Sequence, residues 1–148
     1  MRSAILVVPS SDRLHATTVA IDGRAVMIEG ASGSGKSDLA LRLIDRGAIL
    51  VSDDQTLVVR TGDTLLARAP TTIAGRIEVR GIGILTVPHI DDVPVALLVS
   101  IGDPVERMPE RRVRRIAGID VRQVAIDAFH ASAPLKIELA LRHLETLA

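Results

Sequence analysis

A chain of 148 residues with 18 Lys plus Arg, 18 Asp plus Glu and no cysteine fits one domain, 1–148, that folds without disulfides. The missing cysteines exclude thiolate metal sites and a cysteine nucleophile. Balanced charge gives no global attraction to nucleic acid, and a single aromatic, Phe129, cannot build the stacking platforms of RNA- or single-strand-binding modules.

The apolar run 4–8 is too short for a signal-peptide core, and no stretch approaches the length of a membrane span. A soluble cytoplasmic protein with no membrane partner is expected. Residues 15–21 (HATTVAI) and 25–29 (AVMIE) read as strands joined by a tight Asp22-Gly23 hairpin. Residues 37–46 read as a helix with Leu39, Ala40, Leu43 and Ile44 on one face and Asp38, Arg42, Asp45 and Arg46 on the other. Gly47 ends it in a left-handed C-cap.

The almost continuously apolar run 48–52 predicts a strand buried on both faces. Residues 56–60 and 64–68 flank Gly62-Asp63 as a second hairpin, and 83–87, 95–100 and 121–126 are further strands. The last helix starts near Ser132, a good N-cap, with Pro134 in its first turn. It buries Ile137, Ala140, Leu141, Leu144 and Leu147 and turns Lys136, Glu138, Arg142 and Glu145 to water. The sum is an α/β fold: a P-loop-containing domain with a central sheet, flanking antiparallel hairpins and one helix-wrapped parallel segment.

Gly30, Ala31, Ser32, Gly33, Ser34, Gly35, Lys36 and Ser37 match G-x-x-x-x-G-K-[ST] in full, after a strand and opening a helix. Glycines let the backbone wrap phosphate oxygens, and the amides with the helix N-terminus supply partial positive charge. Lys36 is expected on the β- and γ-phosphates and Ser37 on Mg²⁺. Four fixed positions arise by chance in on the order of one per cent of chains this long, which favours nucleoside-triphosphate binding over an accidental turn.

Asp53 and Asp54 follow on the very next strand, where carboxylates at its C-terminal end come near the loop's phosphates. One carboxylate is expected to support the metal or its water, the other to take a proton from an incoming hydroxyl. A solvated Asp-Asp turn is the bland alternative. Arg107, Arg111, Arg112, Arg114 and Arg115 crowd one stretch, either a solvated basic face or a lip that holds phosphates or an acidic partner. The four histidines show no zinc spacing; His89 beside Asp91 and Asp92 is a polar loop or a divalent-ion site.

The early Asp pair is where a family resemblance enters. The block GASGSGKSDLALRLIDRGAILVSDD resembles the loop, helix and DD strand of the HPr kinase/phosphorylase catalytic domain, whose members phosphorylate a serine of the phosphocarrier protein HPr with ATP. EVRGIGI, residues 78–84, is similar to that family's second signature, and His15 stands at the spacing of its catalytic histidine. The resemblance implies Asp54 as general base and Lys36 with Ser37 as holders of phosphate and Mg²⁺. It implies Glu78 as a second Mg²⁺ contact and Arg107 as the later catalytic arginine, with Asp53 and Arg80 in support. It also implies a hexamer.

By pattern alone His15 is a strand histidine, and Glu78 with Arg80 can equally be the wet face of an amphipathic strand. The sequence departs from the family pattern in several places. About 14 residues precede His15 where members commonly carry another domain, and Asp38 stands in place of Glu. DAFHASAP, residues 127–134, takes the place of the Pro-, Gly-, Arg- and Asn-rich loop used in dephosphorylation. Phosphorylation of HPr is therefore expected before phosphorolysis. A small-molecule kinase or carboxykinase relative and a non-catalytic nucleotide sensor are the other readings.

Overall fold

The computed structural model describes residues 10–147, so the apolar run 4–8 lies outside the described residues. The first element, β1 (Ser11–Leu14), is a polar strand with no apolar alternation to announce it. β2 (Ala16–Ile21) and β3 (Arg24–Glu29) form the expected hairpin, in register from Ala16↔Glu29 to Ile21↔Arg24. Asp22 and Gly23 both take positive φ, 50° and 76°, as a two-residue turn matched to strand twist requires.

α1 (Lys36–Asp45) follows β3, with Leu39, Ala40 and Leu43 fully buried. Its end forms both bonds of a Schellman cap, Gly47 N–H to Ile44 O and Ala48 N–H to Leu43 O, with Gly47 at φ 109°. β4 (Ile49–Ser52) is buried on both faces at Leu50 and Val51, as its apolar run predicts. It is not, however, the hydrogen-bonded neighbour of β3. β4 pairs antiparallel with β2, and the parallel neighbour of β3 is β9 (Val93–Ile101), itself parallel to β11 (Ile119–Ile126).

Because β2 is antiparallel to both β3 and β4, those two strands run the same way. Their C-terminal ends, Glu29 and Ser52, reach one edge of the sheet together with the start of β2 at Ala16. Ligands of open α/β sheets gather at the carboxyl ends of the strands.

Two apolar clusters lie on the two faces of this sheet. Val19, Val26, Ile28, Leu50, Leu97 and Val99 pack under α1 and α2 (Ala133–Arg142). Met27, Val51 and Leu98 pack instead against β5 (Thr56–Thr61) and β6 (Thr64–Arg68), through Val58, Leu65 and Ala67. The sheet curls so that this hairpin covers the face opposite the helices. β6 completes the path by pairing with the start of β9. The buried clusters supply the dominant stabilising term, at roughly 25 cal/mol per Å² of apolar surface removed from water.

β7 (Arg76–Val79) and β8 (Gly83–Thr86) form a separate two-stranded sheet, fixed to the body by the buried Ile77. β10 (Arg112–Ile116) pairs with β11, so half of the arginine-rich stretch is strand. Arg114 pairs with Glu29 and Arg115 lies 3.0 Å from Asp120. Ser132 caps α2 by position but makes no side-chain capping bond, and the helix stops at Arg142, leaving Leu144 and Leu147 in the turns beyond. Glu138, expected in water, instead meets Arg46 at 2.8 Å and raises the guanidinium's pKa, chiefly through their hydrogen bond. Among the described residues, no helix is long and apolar enough to cross a membrane.

Candidate active site

The loop between β3 and α1 is shaped by its glycines for two different reasons. At Gly30 the reason is space: a Cβ there would stand 2.7 Å from Ile101 Cγ1 and from Ser34 Oγ, because the end of β9 runs against the loop. At Gly33 and Gly35 it is conformation, with φ of 80° and 103°, a region that side chains with a Cβ rarely enter. The loop then delivers Lys36, only 6% exposed, with Nζ donating to Gly30 O at 2.9 Å and Ala31 O at 3.1 Å. Ser34 Oγ is buried with no hydrogen-bond partner among the described residues.

Ser37, one residue into the helix, donates its hydroxyl to Asp53 Oδ1 at 2.6 Å. Asp53 is 8% exposed and accepts twice more, from Thr17 Oγ1 at 3.1 Å and from Glu78 N–H at 2.9 Å. Burial of a carboxylate is tolerated where donors of this kind satisfy its oxygens. Thr17 bridges the two aspartates, since its oxygen also accepts from Asp54 N–H at 3.0 Å. Nothing in the sequence motif marks Thr17. The available signal is that a polar side chain in the middle of an otherwise apolar strand needs a partner once buried.

Asp54 faces the other way. β4 ends at Ser52, and Asp54 takes φ 66° in the bend that follows, a left-handed conformation that Asp tolerates better than most residues. The two carboxylates are thus separated by a turn, not by the alternation of a continuing strand. Asp54 is exposed, and its Oδ1 lies 2.9 Å from His15 Nε2; the two side chains are 57% and 54% exposed.

A cleft of about 490 Å³ opens over this group. Its walls include Ser32, Gly33 and Gly35 of the loop, Lys36 and Ser37, both aspartates, Glu78 and Arg80. The remaining wall is Asp38, Leu41, Val79 and Phe129. His15 reaches the cleft through Asp54. Arg107 does not: it sits in the exposed loop 102–111 that leaves β9, and no bond joins it to the site among the described residues.

His89 and its neighbours form the polar loop. Asp92 meets Arg68 at 2.7 Å, Asp91 accepts from Ala69 N–H, and no group of three His, Asp or Glu suited to a metal occurs among the described residues. Such a cage is not what Mg²⁺ needs, since that ion keeps several waters and is held by one or two carboxylates plus substrate phosphates. The Ser37 hydroxyl, donating its proton to Asp53 and leaving its lone pairs free, fits that demand.

Fold and site together place the chain among mixed α/β domains whose curled central sheet carries a glycine-rich loop at its carboxyl edge. The sequence matches the HPr Serine kinase C-terminal domain over residues 8–91, more than half of its length, and the chain belongs to that family. It is similar to the Hpr(Ser) kinase/phosphatase from Coxiella burnetii, with a TM-score of 0.79 and 31% identity over 90% of this chain and 96% of that one. HPr kinase/phosphorylase from Clostridium botulinum is 42% identical over 78 residues, 53% of this chain and 26% of the relative. The enzyme of that name from Exiguobacterium sibiricum is 48% identical over 75 residues, 50% of this chain and 24% of the relative. The chain thus spans about a quarter of the length of the curated relatives it matches.

Proposed function

We propose that this chain is a single catalytic domain, 1–148, that uses ATP and Mg²⁺ to phosphorylate a serine of HPr. The observation that carries this reading is the division of labour between the aspartates. Asp53 is buried on Ser37, beneath the glycine-rich loop, and Asp54 is exposed on His15, at the mouth of the same cleft.

In this reading the loop amides, the N-terminus of α1 and Lys36 hold the triphosphate. Ser37 and Asp53 hold Mg²⁺, with Glu78 on the facing wall, and the ion's part is to neutralise charge on the phosphate oxygens. Asp54 accepts the proton of the incoming serine hydroxyl as its oxygen bonds to the γ-phosphorus. The bond from that phosphorus to the bridging oxygen breaks, and ADP leaves with the electron pair. A serine hydroxyl is a poor nucleophile, so late proton removal by a positioned carboxylate assists its attack. His15, 2.9 Å from Asp54 Oδ1, orients that carboxylate.

The reading puts the chain in the cytoplasm, where HPr is its partner, and a hexameric assembly follows from the family resemblance. Kinase activity is favoured over phosphorolysis, because residues 127–134 carry no arginine-rich loop.

The test is incubation of the chain with ATP, Mg²⁺ and HPr, followed by intact-mass measurement of HPr. A gain of one phosphoryl group is expected. ATP binding without any mass change in HPr would reject the kinase reading and favour a nucleotide sensor. In the reverse direction, phosphoserine-HPr with inorganic phosphate should yield pyrophosphate slowly.

A further inference from the structure

We propose that Phe129 is the platform on which the purine base of the nucleotide stacks, so that the base is held by its face and not read by its edge. The inference rests on the triphosphate reading of the loop given above. Phe129 is the sole aromatic of the chain and is 81% exposed, although it belongs to the wall of the cleft. Its ring tip lies against the loop: a Cβ on Gly35 would stand 3.6 Å from Phe129 Cε1 and 3.8 Å from Cζ. A base attached to a triphosphate seated in that loop has this ring within reach.

The ring is exposed but its support is fixed. Phe129 N–H donates to Asp127 Oδ1 at 3.0 Å, and the preceding residue, Ala128, is buried. Arg42, projecting from α1, donates to the carbonyls on either side, Ala128 O and His130 O, the latter at 3.3 Å. Its Nε is engaged by Asp38 at 3.1 Å. An aromatic ring on a fixed backbone beside a polar loop has few torsions to lose when it is covered, which favours stacking.

The same bonds argue against edge readout. Each nitrogen of the Arg42 guanidinium makes one bond within the fold, and the N–H of Phe129 and the carbonyls of Ala128 and His130 are likewise engaged. What the turn presents to a base is therefore a π-face, which accepts any purine.

The experiment compares Mg·ATP with magnesium tripolyphosphate, which has the phosphates and no base, by calorimetry on the full chain. Stacking is worth enough for Phe129→Ala to weaken ATP about 5- to 150-fold while tripolyphosphate binds as to the wild type. Phe129→Trp should restore ATP affinity. As the only tryptophan in the chain, its fluorescence should respond to ATP and GTP alike and stay unchanged with tripolyphosphate. ATP affinity unaltered in Phe129→Ala, with tripolyphosphate still bound, overturns the platform and leaves the loop reading intact. Failure of the wild type to bind either probe overturns both.

Discussion

The floor of the cleft and its lip are built on opposite terms. At the floor, Lys36 and Asp53 are almost fully buried, and each makes the bonds that hold its neighbours in place. At the lip, His15, Asp54, Glu78 and Arg80 are exposed. Asp54 and His15 bond chiefly to each other there. A floor residue cannot change without disturbing the fold, whereas a lip residue is free to serve chemistry alone. Mutants should therefore separate into those that lose stability with activity and those that lose activity only.

The largest effect is expected at Lys36. Lys36→Ala removes the donor to two loop carbonyls and, on the proposed reading, the cation nearest the phosphates. Transfer to HPr should become undetectable, triphosphate affinity should fall, and urea unfolding should show about 1–3 kcal/mol of lost stability. Wild-type affinity by calorimetry would remove Lys36 from the floor altogether.

Next comes Asp54→Asn, the sharpest probe of the lip. Asn accepts the left-handed φ that Asp54 occupies, so the turn survives while the base is lost. Transfer should drop about 10²–10⁴-fold, equivalent to about 3–5 kcal/mol, with unfolding unchanged to within about 0.5 kcal/mol. A midpoint shifted as far as that of a floor mutant would erase the distinction between the two regions.

Asp53→Ala tests the floor from its anionic side. It strands three donors, from Ser37, Thr17 and Glu78, and should cost about 2–4 kcal/mol of stability by denaturant titration. The smallest expected effect is at Glu78→Gln: a higher Mg²⁺ concentration for half-maximal transfer, with the fold intact. A metal titration that overlays the wild type would make Glu78 only the wet face of β7.

How far the sequence foretold this depends on how local each feature is. The loop, α1 and its Gly47 cap are written in a few adjacent residues, and they stand where the motif and the helical period put them. That Asp53 and Asp54 come near the loop was also legible, but not that a turn at Asp54 sends the two carboxylates to different partners. What escaped depends on pairing between distant segments. The place of β4 beside β2 is set by the curl of the sheet, which its apolar run does not encode. The arginines of β10 read as a solvated basic face and give no strand signal, because charge along an edge strand discourages unwanted pairing. The place of Phe129 on the cleft wall likewise depends on a segment far along the chain from the loop, which the count of aromatics does not reveal.

The bonds that tie Thr17 to the aspartates span 36 and 37 residues, and Ser37 reaches Asp53 across 16. The clamp from Arg42 to the Phe129 turn spans 86 and 88. Short closures cost the chain less entropy than long ones and tend to form sooner. The glycine-loop end of the cleft is accordingly expected to close early in folding, with the opposite wall docking onto it afterwards. Folding kinetics would read this order as a larger φ-value for Thr17→Val, which deletes the hydroxyl, than for Arg42→Ala; the reverse ranking would assign the nucleus to the long-range clamp.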